Sequence, residues 1–181
     1  MDRYSDHYKE IILNDFFVKK KFGHKHRVSK LDKVVLNLGV KDITQDKRKI
    51  LSSILGAEVI TGQRALITKS RKPLLALKVR KGMAVGCKIV LRRSLMYTFL
   101  DKFTSITLPR IKNFQGFYQS LITVDGNLSL KLEEPLSFFE LEYEYDTFLE
   151  LPPIDITFVT TSVGKKESLQ LLSSLQVPFR R

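Results

Sequence analysis

Residues 64–92, RALITKSRKPLLALKVRKGMAVGCKIVLR, alternate apolar and polar side chains at both ends and crowd cations between them. The ends predict two strands, Arg64 to Ser70 and Gly86 to Arg92, joined by a long basic loop. Nine of these residues are Lys or Arg (Arg64, Lys69, Arg71, Lys72, Lys78, Arg80, Lys81, Lys88, Arg92), and none is acidic. Like charge at this density costs self-repulsion that a bound polyanion would remove. The stretch therefore points to RNA or DNA, with an ordinary solvated face as the bland alternative.

The chain around it has 181 residues, enough for one domain with a real core, and 43% hydrophobic content argues against disorder. No apolar run reaches the roughly 18–20 residues needed to span a bilayer, so no membrane partner is expected. Asp2, Asp6 and Glu10 argue against a secretory signal or an acid-poor transit peptide at the start. One cysteine, Cys87, rules out an internal disulfide and suits a reducing interior. Its alternation with Ile89 and Leu91 predicts a small core residue rather than a nucleophile.

The net charge of +12 is uneven. Residues 1–112 hold 26 Lys and Arg against 9 Asp and Glu, net +17. Residues 113–163 hold Lys131 against 9 acidic residues, net −8, and residues 164–181 are +3. One surface should meet a polyanion and the other something basic. A single domain over 1–181 is expected, with a basic part, an acidic hairpin and strand part, and a C-terminal helix and tail.

Tyr8, Ile11, Ile12 and Phe16 recur at helical spacing from Ser5 to Phe22, and Gly23 is placed to end that helix. His24 and His26 follow in a Lys-rich turn, with no further ligands nearby for a zinc site. Leu31 to Val40 has period two: Val34, Leu36, Leu38 and Val40 on one face, Lys33, Val35, Asn37 and Gly39 on the other. Gly39 leaves room for close approach of another backbone. Helices are predicted from Thr44 to Ile60, with Gly62 just beyond, and from Leu95 to Phe103, with Ser94 as N-cap. Pro109 opens an irregular piece, and Asp125-Gly126 predicts a hairpin between 121–124 and 128–132. Strand Ile154 to Thr161 and helix Lys165 to Gln176 complete the chain. The expected class is α+β: an antiparallel or mixed sheet with helices packed on one face, a basic sheet face and a long basic loop.

Strand parity places Lys33, Asn37, Lys69, Lys88 and Arg92 away from the apolar comb, with Thr68 and Gln63 as neutral donors nearby. Cations neutralise phosphates, and Asn bonds sugar or base edges. These strands carry no aromatic residue for stacking single-stranded bases, so structured RNA is the expected ligand. Nucleotide-binding and metalloprotease motifs are absent. The carboxylates of 133–155 could be imagined holding Mg²⁺ for a nucleic-acid-processing enzyme. Glu140, Glu142 and Glu144, however, alternate with Leu141, Tyr143 and Tyr145 like a solvated strand edge. A free RNA chaperone is the other alternative, and no catalytic residue, cofactor or metal is expected.

Several ordered motifs resemble the family of large-subunit ribosomal protein five of bacterial and organellar ribosomes. They are Leu36-Asn37-Leu38-Gly39-Val40, Thr61-Gly62-Gln63, Ile67-Thr68-Lys69-Ser70-Arg71-Lys72, Gly86-Cys87-Lys88 and Leu91-Arg92. Pro109-Arg110-Ile111, Asn113-Phe114-Gln115-Gly116, Asp155-Ile156-Thr157 and Pro178-Phe179-Arg180 continue the series. The family usually has Pro where Ala65 stands, and a Gly-Arg-Gly-Asn pattern where this chain has Val124-Asp125-Gly126-Asn127.

The resemblance implies a non-enzymatic constituent of the central protuberance that binds 5S rRNA and adjacent large-subunit rRNA. RNA contact would fall on Asn37, Gln63, Thr68, Lys69, Lys88 and Arg92, with Lys33 beside them. The loop 71–85 would contact P-site tRNA through Arg71, Lys72, Lys78, Arg80, Lys81 and Gly82. A bridge to small-subunit ribosomal protein thirteen would use Arg110, Lys112, Glu140, Glu142 and Glu144, and no homo-oligomer is expected. Drift from the family pattern and the Phe-rich, Trp-free composition suggest a mitochondrial ribosome, with bacterial cytoplasm or another organelle as alternatives.

Overall fold

The computed structural model describes residues 3–20, 24–40, 48–73, 75 and 78–180. Helix α1 (Arg3–His7) runs through a π-helical turn, Tyr8–Ile12, into α2 (Leu13–Lys20). Then come β1 (Leu31–Gly39), α3 (Arg48–Thr61), β2 (Leu66–Lys69), β3 (Ala84–Leu91) and α4 (Arg93–Lys102). A second π-helical turn, Phe103–Thr107, leads to α5 (Leu108–Arg110). The last part holds β4 (Leu128–Leu132), α6 (Tyr145–Phe148), β5 (Ile154–Thr160) and α7 (Lys165–Ser174). The five strands form one sheet in the order β2-β3-β1-β5-β4, an α+β fold as expected.

Period-two burial runs through the long strands. Val34, Leu36 and Leu38, Cys87, Ile89 and Leu91, Leu128 and Ile154, Ile156 and Phe158 are essentially inaccessible. Their neighbours Lys88, Ser129, Lys131 and Asp155 are exposed. One face of the sheet is thus core and the other polar.

Two compact units divide the chain. The first comprises 1–34, 91–130 and 157–181, and its core is aromatic. Phe103 stacks on Phe99 at 5.9 Å, meets Phe158 at 5.8 Å and lies 6.4 Å from Phe117. The N-terminal helices are tied in by Tyr4, whose hydroxyl donates to Gln176 Oε1 at 2.8 Å, and by Tyr8, whose hydroxyl donates to Ser29 O at 3.1 Å. Burial, with Tyr97 beside it, pushes the Tyr8 phenol up to about 12. The Asp125-Gly126 turn forms, with Gly126 at φ 81 and Thr123 N–H donating to Asn127 O at 2.9 Å.

The second unit comprises 35–90 and 131–156. Here α3 lies against the core side of β3, and the Cys87 thiol donates to Ser53 O at 3.5 Å. Burial holds that thiol up at about 11. Gly56 lets α3 approach Leu151 and Phe148, and Lys49 Nζ pairs with Glu150 at 3.0 Å. Gly62 follows α3 at φ 68 and donates to Glu58 O at 2.7 Å, the helix stop the sequence predicts. At Gly86 a Cβ would overlap the Leu38 carbonyl oxygen and sit 3.2 Å from Gly39 Cα. The close approach expected of Gly39 therefore belongs to Gly86, since a Cβ on Gly39 would meet open space.

Several boundaries differ from the sequence reading. β2 is shorter than 64–70: Glu58 accepts the Ala65 N–H, and Gln63 Nε2 takes the Val90 carbonyl of β3 that an extended β2 would otherwise pair with. β3 starts at Ala84, and Arg92 rather than Ser94 occupies the N-cap position of α4, in extended backbone at φ −138 and with no side-chain cap bond. The 121–124 strand reduces to a bridge of Ile122 to Leu128 after a 3-10 turn, Gln119–Leu121. Residues Phe139–Glu144 form a 3-10 helix rather than a strand edge, because Phe138, Leu141 and Phe148 are the buried positions. Gly23 and the Thr44 start of the second helix lie outside the described residues.

Two outcomes test this packing. Gly86→Ala should cost at least about 1–3 kcal/mol in urea unfolding, whereas Gly39→Ala should stay within about 0.5 kcal/mol. Tyr8 titrates higher folded than unfolded, so its contribution is complete below about pH 10 and is lost as pH rises toward about 12. Tyr8→Phe should flatten the alkaline limb of a stability–pH curve.

Candidate RNA interface

The turn from α3 into β2 is fixed by side chains. Thr61 Oγ1 donates to Ala57 O at 2.7 Å and accepts from Gln63 N–H at 3.3 Å. Glu58 accepts the Ala65 N–H at 2.8 Å, and Gln63 Nε2 donates to Val90 O at 3.2 Å. Glu58 is the one carboxylate between Lys47 and Asp101. It is spent on backbone, and no cation of the basic stretch is in an ion pair among the described residues. Sequence reasoning missed Glu58; a lone acid seven residues before Ala65, in a stretch otherwise free of acids, was the available signal.

β2 pairs antiparallel with β3, Leu66 opposite Lys88, Ile67 opposite Cys87 and Thr68 opposite Gly86. Cross-strand partners share a face, so Leu66, Thr68 and Lys88 lie on the polar side. The register shifts between Thr68 and Lys69, which brings Lys69 opposite Ala84. The side Lys69 presents is thus governed by the irregularity and not by simple alternation.

In the second unit Asn37, Gln63 and Thr68 are half-buried, and Lys69 and Lys88 are exposed. Gln63 has its amide nitrogen committed to β3. Lys33 and Arg92 belong to the first unit; Lys33 is half-buried, 3.9 Å from the Asp32 carboxylate, and Arg92 is exposed. Arg93, next to it, adopts φ 53, a costly left-handed turn for a residue with a side chain.

The loop is closed at its base. Ser70 N–H donates to Met83 O at 2.8 Å, and Gly82 N–H donates to Ser70 O at 2.9 Å. Gly82 at φ 83 and Lys78 at φ 51 make the turns. Leu75 is 94% exposed while Val79 is buried. Arg71, Lys72, Lys78, Arg80 and Lys81 are all exposed, and none is in an ion pair among the described residues. All nine cations of the opening stretch are exposed. The geometry can grip an extended anionic backbone.

Of the expected bridge residues, Arg110 and Lys112 are exposed in the first unit. Glu142 and Glu144 are exposed and Glu140 half-buried in the second, beside an 89% exposed Tyr143. His24 and His26 are exposed, and no cluster of three metal-ligating side chains occurs among the described residues. No helix among them is long and apolar enough to cross a membrane.

An α+β sheet with one polar, cation-edged face offers a surface complementary to the backbone of an RNA. Residues 24–80 match the family described as "Ribosomal protein L5", and residues 84–179 match the model of that family's C-terminus. The chain belongs to the ribosomal protein L5 family, whose role is structural. It is 40% identical, over the full length of both, to "Large ribosomal subunit protein uL5m" of Reclinomonas americana. It is 36% identical to "Large ribosomal subunit protein uL5" of Ruminiclostridium cellulolyticum, over 99% of this chain and 98% of that one. The Mycoplasma capricolum protein of the same name is 35% identical over 96% of each.

Proposed function

We propose that the protein is a structural constituent of the large ribosomal subunit that clasps 5S rRNA and adjacent large-subunit rRNA through its basic strands. The observation that carries this is the run of nine exposed cations with no carboxylate among them, in a chain of this family. Lys88 with Thr68, joined by Lys33, Asn37, Gln63, Lys69 and Arg92, serves the rRNA. The closed basic loop serves a second RNA that arrives and leaves, the P-site tRNA. A loop zipped at Ser70 and Gly82 but exposed at Leu75 suits repeated contact without unfolding. Arg110 and Lys112, with the acidic turn bearing Glu140, Glu142 and Glu144, serve the bridge to the basic small-subunit protein thirteen. Full-length similarity to a protein named uL5m supports a mitochondrial ribosome as the location. The role is binding; no bond is made or broken.

Replacing Lys69, Lys88 and Arg92 together by Gln should weaken 5S rRNA binding. The slope of log affinity against log salt should flatten by about 0.9 for each duplex phosphate no longer neutralised. An unchanged slope in a titration of refolded 5S rRNA would remove the proposed face. Deleting residues 75–82 should leave 5S affinity intact and reduce P-site tRNA retention in reconstituted subunits. Loss of 5S binding in that deletion would place the loop in the main interface instead.

A further inference from the structure

The basic strands offer no flat side chain on which a base leaving its helix could rest. A flat surface exists in the first unit. Phe117 and Phe179 form a parallel bridge, with Phe117 N–H donating to Pro178 O at 2.9 Å and Arg180 N–H to Phe117 O at 2.9 Å. This pins Tyr118 and Arg180 side by side. Tyr118 is 58% exposed, and the Arg180 guanidinium lies 5.5 Å from its ring centroid. Arg180 Nη1 also donates to the Tyr118 hydroxyl at 3.0 Å.

The shelf is anchored from behind. Phe117 meets Phe114 edge-on at 5.0 Å and stacks toward the buried Phe103. Gly116, at φ 98, allows the two backbones to touch, since a Cβ there would lie 3.1 Å from Arg180 N. Beside Gly116 and Pro178 opens a cleft of about 490 Å³, with Leu108, Ile111 and Phe114 as its apolar lining and the amides of Gln115 and Gln176 at hand.

The surroundings choose the ligand. Between Asp101 and Asp125 there is no acidic residue, while Arg110, Lys112, Asn113, Gln115 and Gln119 are exposed. A peptide could use the ring, but cations and amides without carboxylates favour an anionic chain with hydrogen-bonding edges. We propose that Tyr118 and Arg180 form a second RNA site, which takes an unpaired nucleotide with its base stacked on the Tyr118 ring. Arg180 stiffens the ring and attracts the adjoining phosphate. This site is independent of the basic strands.

The test uses the full chain and a labelled oligoadenylate of about ten nucleotides, read by anisotropy in about 0.2 M salt, where backbone attraction is weak. Tyr118→Ala should lose roughly 5- to 150-fold in affinity, and Tyr118→Phe should keep most of it. Binding of a blunt-ended, fully paired RNA duplex should be unchanged by Tyr118→Ala and weakened by the Lys69, Lys88 and Arg92 triple variant. That opposite pattern separates failure of this site from failure of the strand face. Oligoadenylate affinity unaltered in Tyr118→Ala, or reduced equally for the duplex, overturns the proposal. Unaltered affinity with impaired cosedimentation on subunits also overturns it and assigns the shelf to a protein neighbour.

Discussion

The contact of β3 on β1 at Gly86 is the tightest constraint in the second unit. No side chain fits between Gly86 and the Leu38 carbonyl, so the two strands meet as bare backbone. Val40 N–H donates to Val85 O at 3.1 Å next to this point, which locks the pair in register. β2 has no other neighbour in the sheet than β3, so its placement is inherited from that contact. The basic loop between β2 and β3 is inherited in turn. A slip of one residue would reverse every side chain on β3, sending Lys88 inward and Cys87 out.

Electrostatics then sets what the loop can do. The local acid, Glu58, holds a backbone amide instead of a cation, so no ion pair among the described residues relieves repulsion between the loop's lysines and arginines. Such a segment is tolerated because each side chain is solvated, and at physiological ionic strength charges beyond about 8 Å are largely screened. The same arrangement makes binding to a polyanion strongly salt-dependent. Screening therefore eases repulsion within the loop while it weakens attraction to a polyanion.

Much of this was legible from residue patterns. Period two in Leu31–Val40 and around Cys87 gave faces that burial bears out, because a sheet with one dry side forces strict alternation. Gly62 as a helix stop and Asp125-Gly126 as a turn were readable because local backbone conformation decides them. Residues 139–144 misled, since Glu and Tyr alternate there with the period of a strand. The buried Phe138, Leu141 and Phe148 follow the spacing of a helical surface, and tertiary packing overrode the local alternation. The shift after Thr68 could not be read at all, because an irregularity in pairing leaves no composition signal in so short a strand. Glu58 and the Tyr118–Arg180 pair were invisible for a related reason: each joins positions whose proximity only the fold creates.

Cys87 illustrates how packing decides chemistry. Sulfur reacts with peroxides and alkylating agents as the thiolate, and this thiol is held protonated beneath α3 with no solvent reaching it. The sole sulfhydryl of the chain is therefore chemically silent while the sheet is intact. Oxidants in the surrounding solution would meet no thiol until β3 separates from the helix above it.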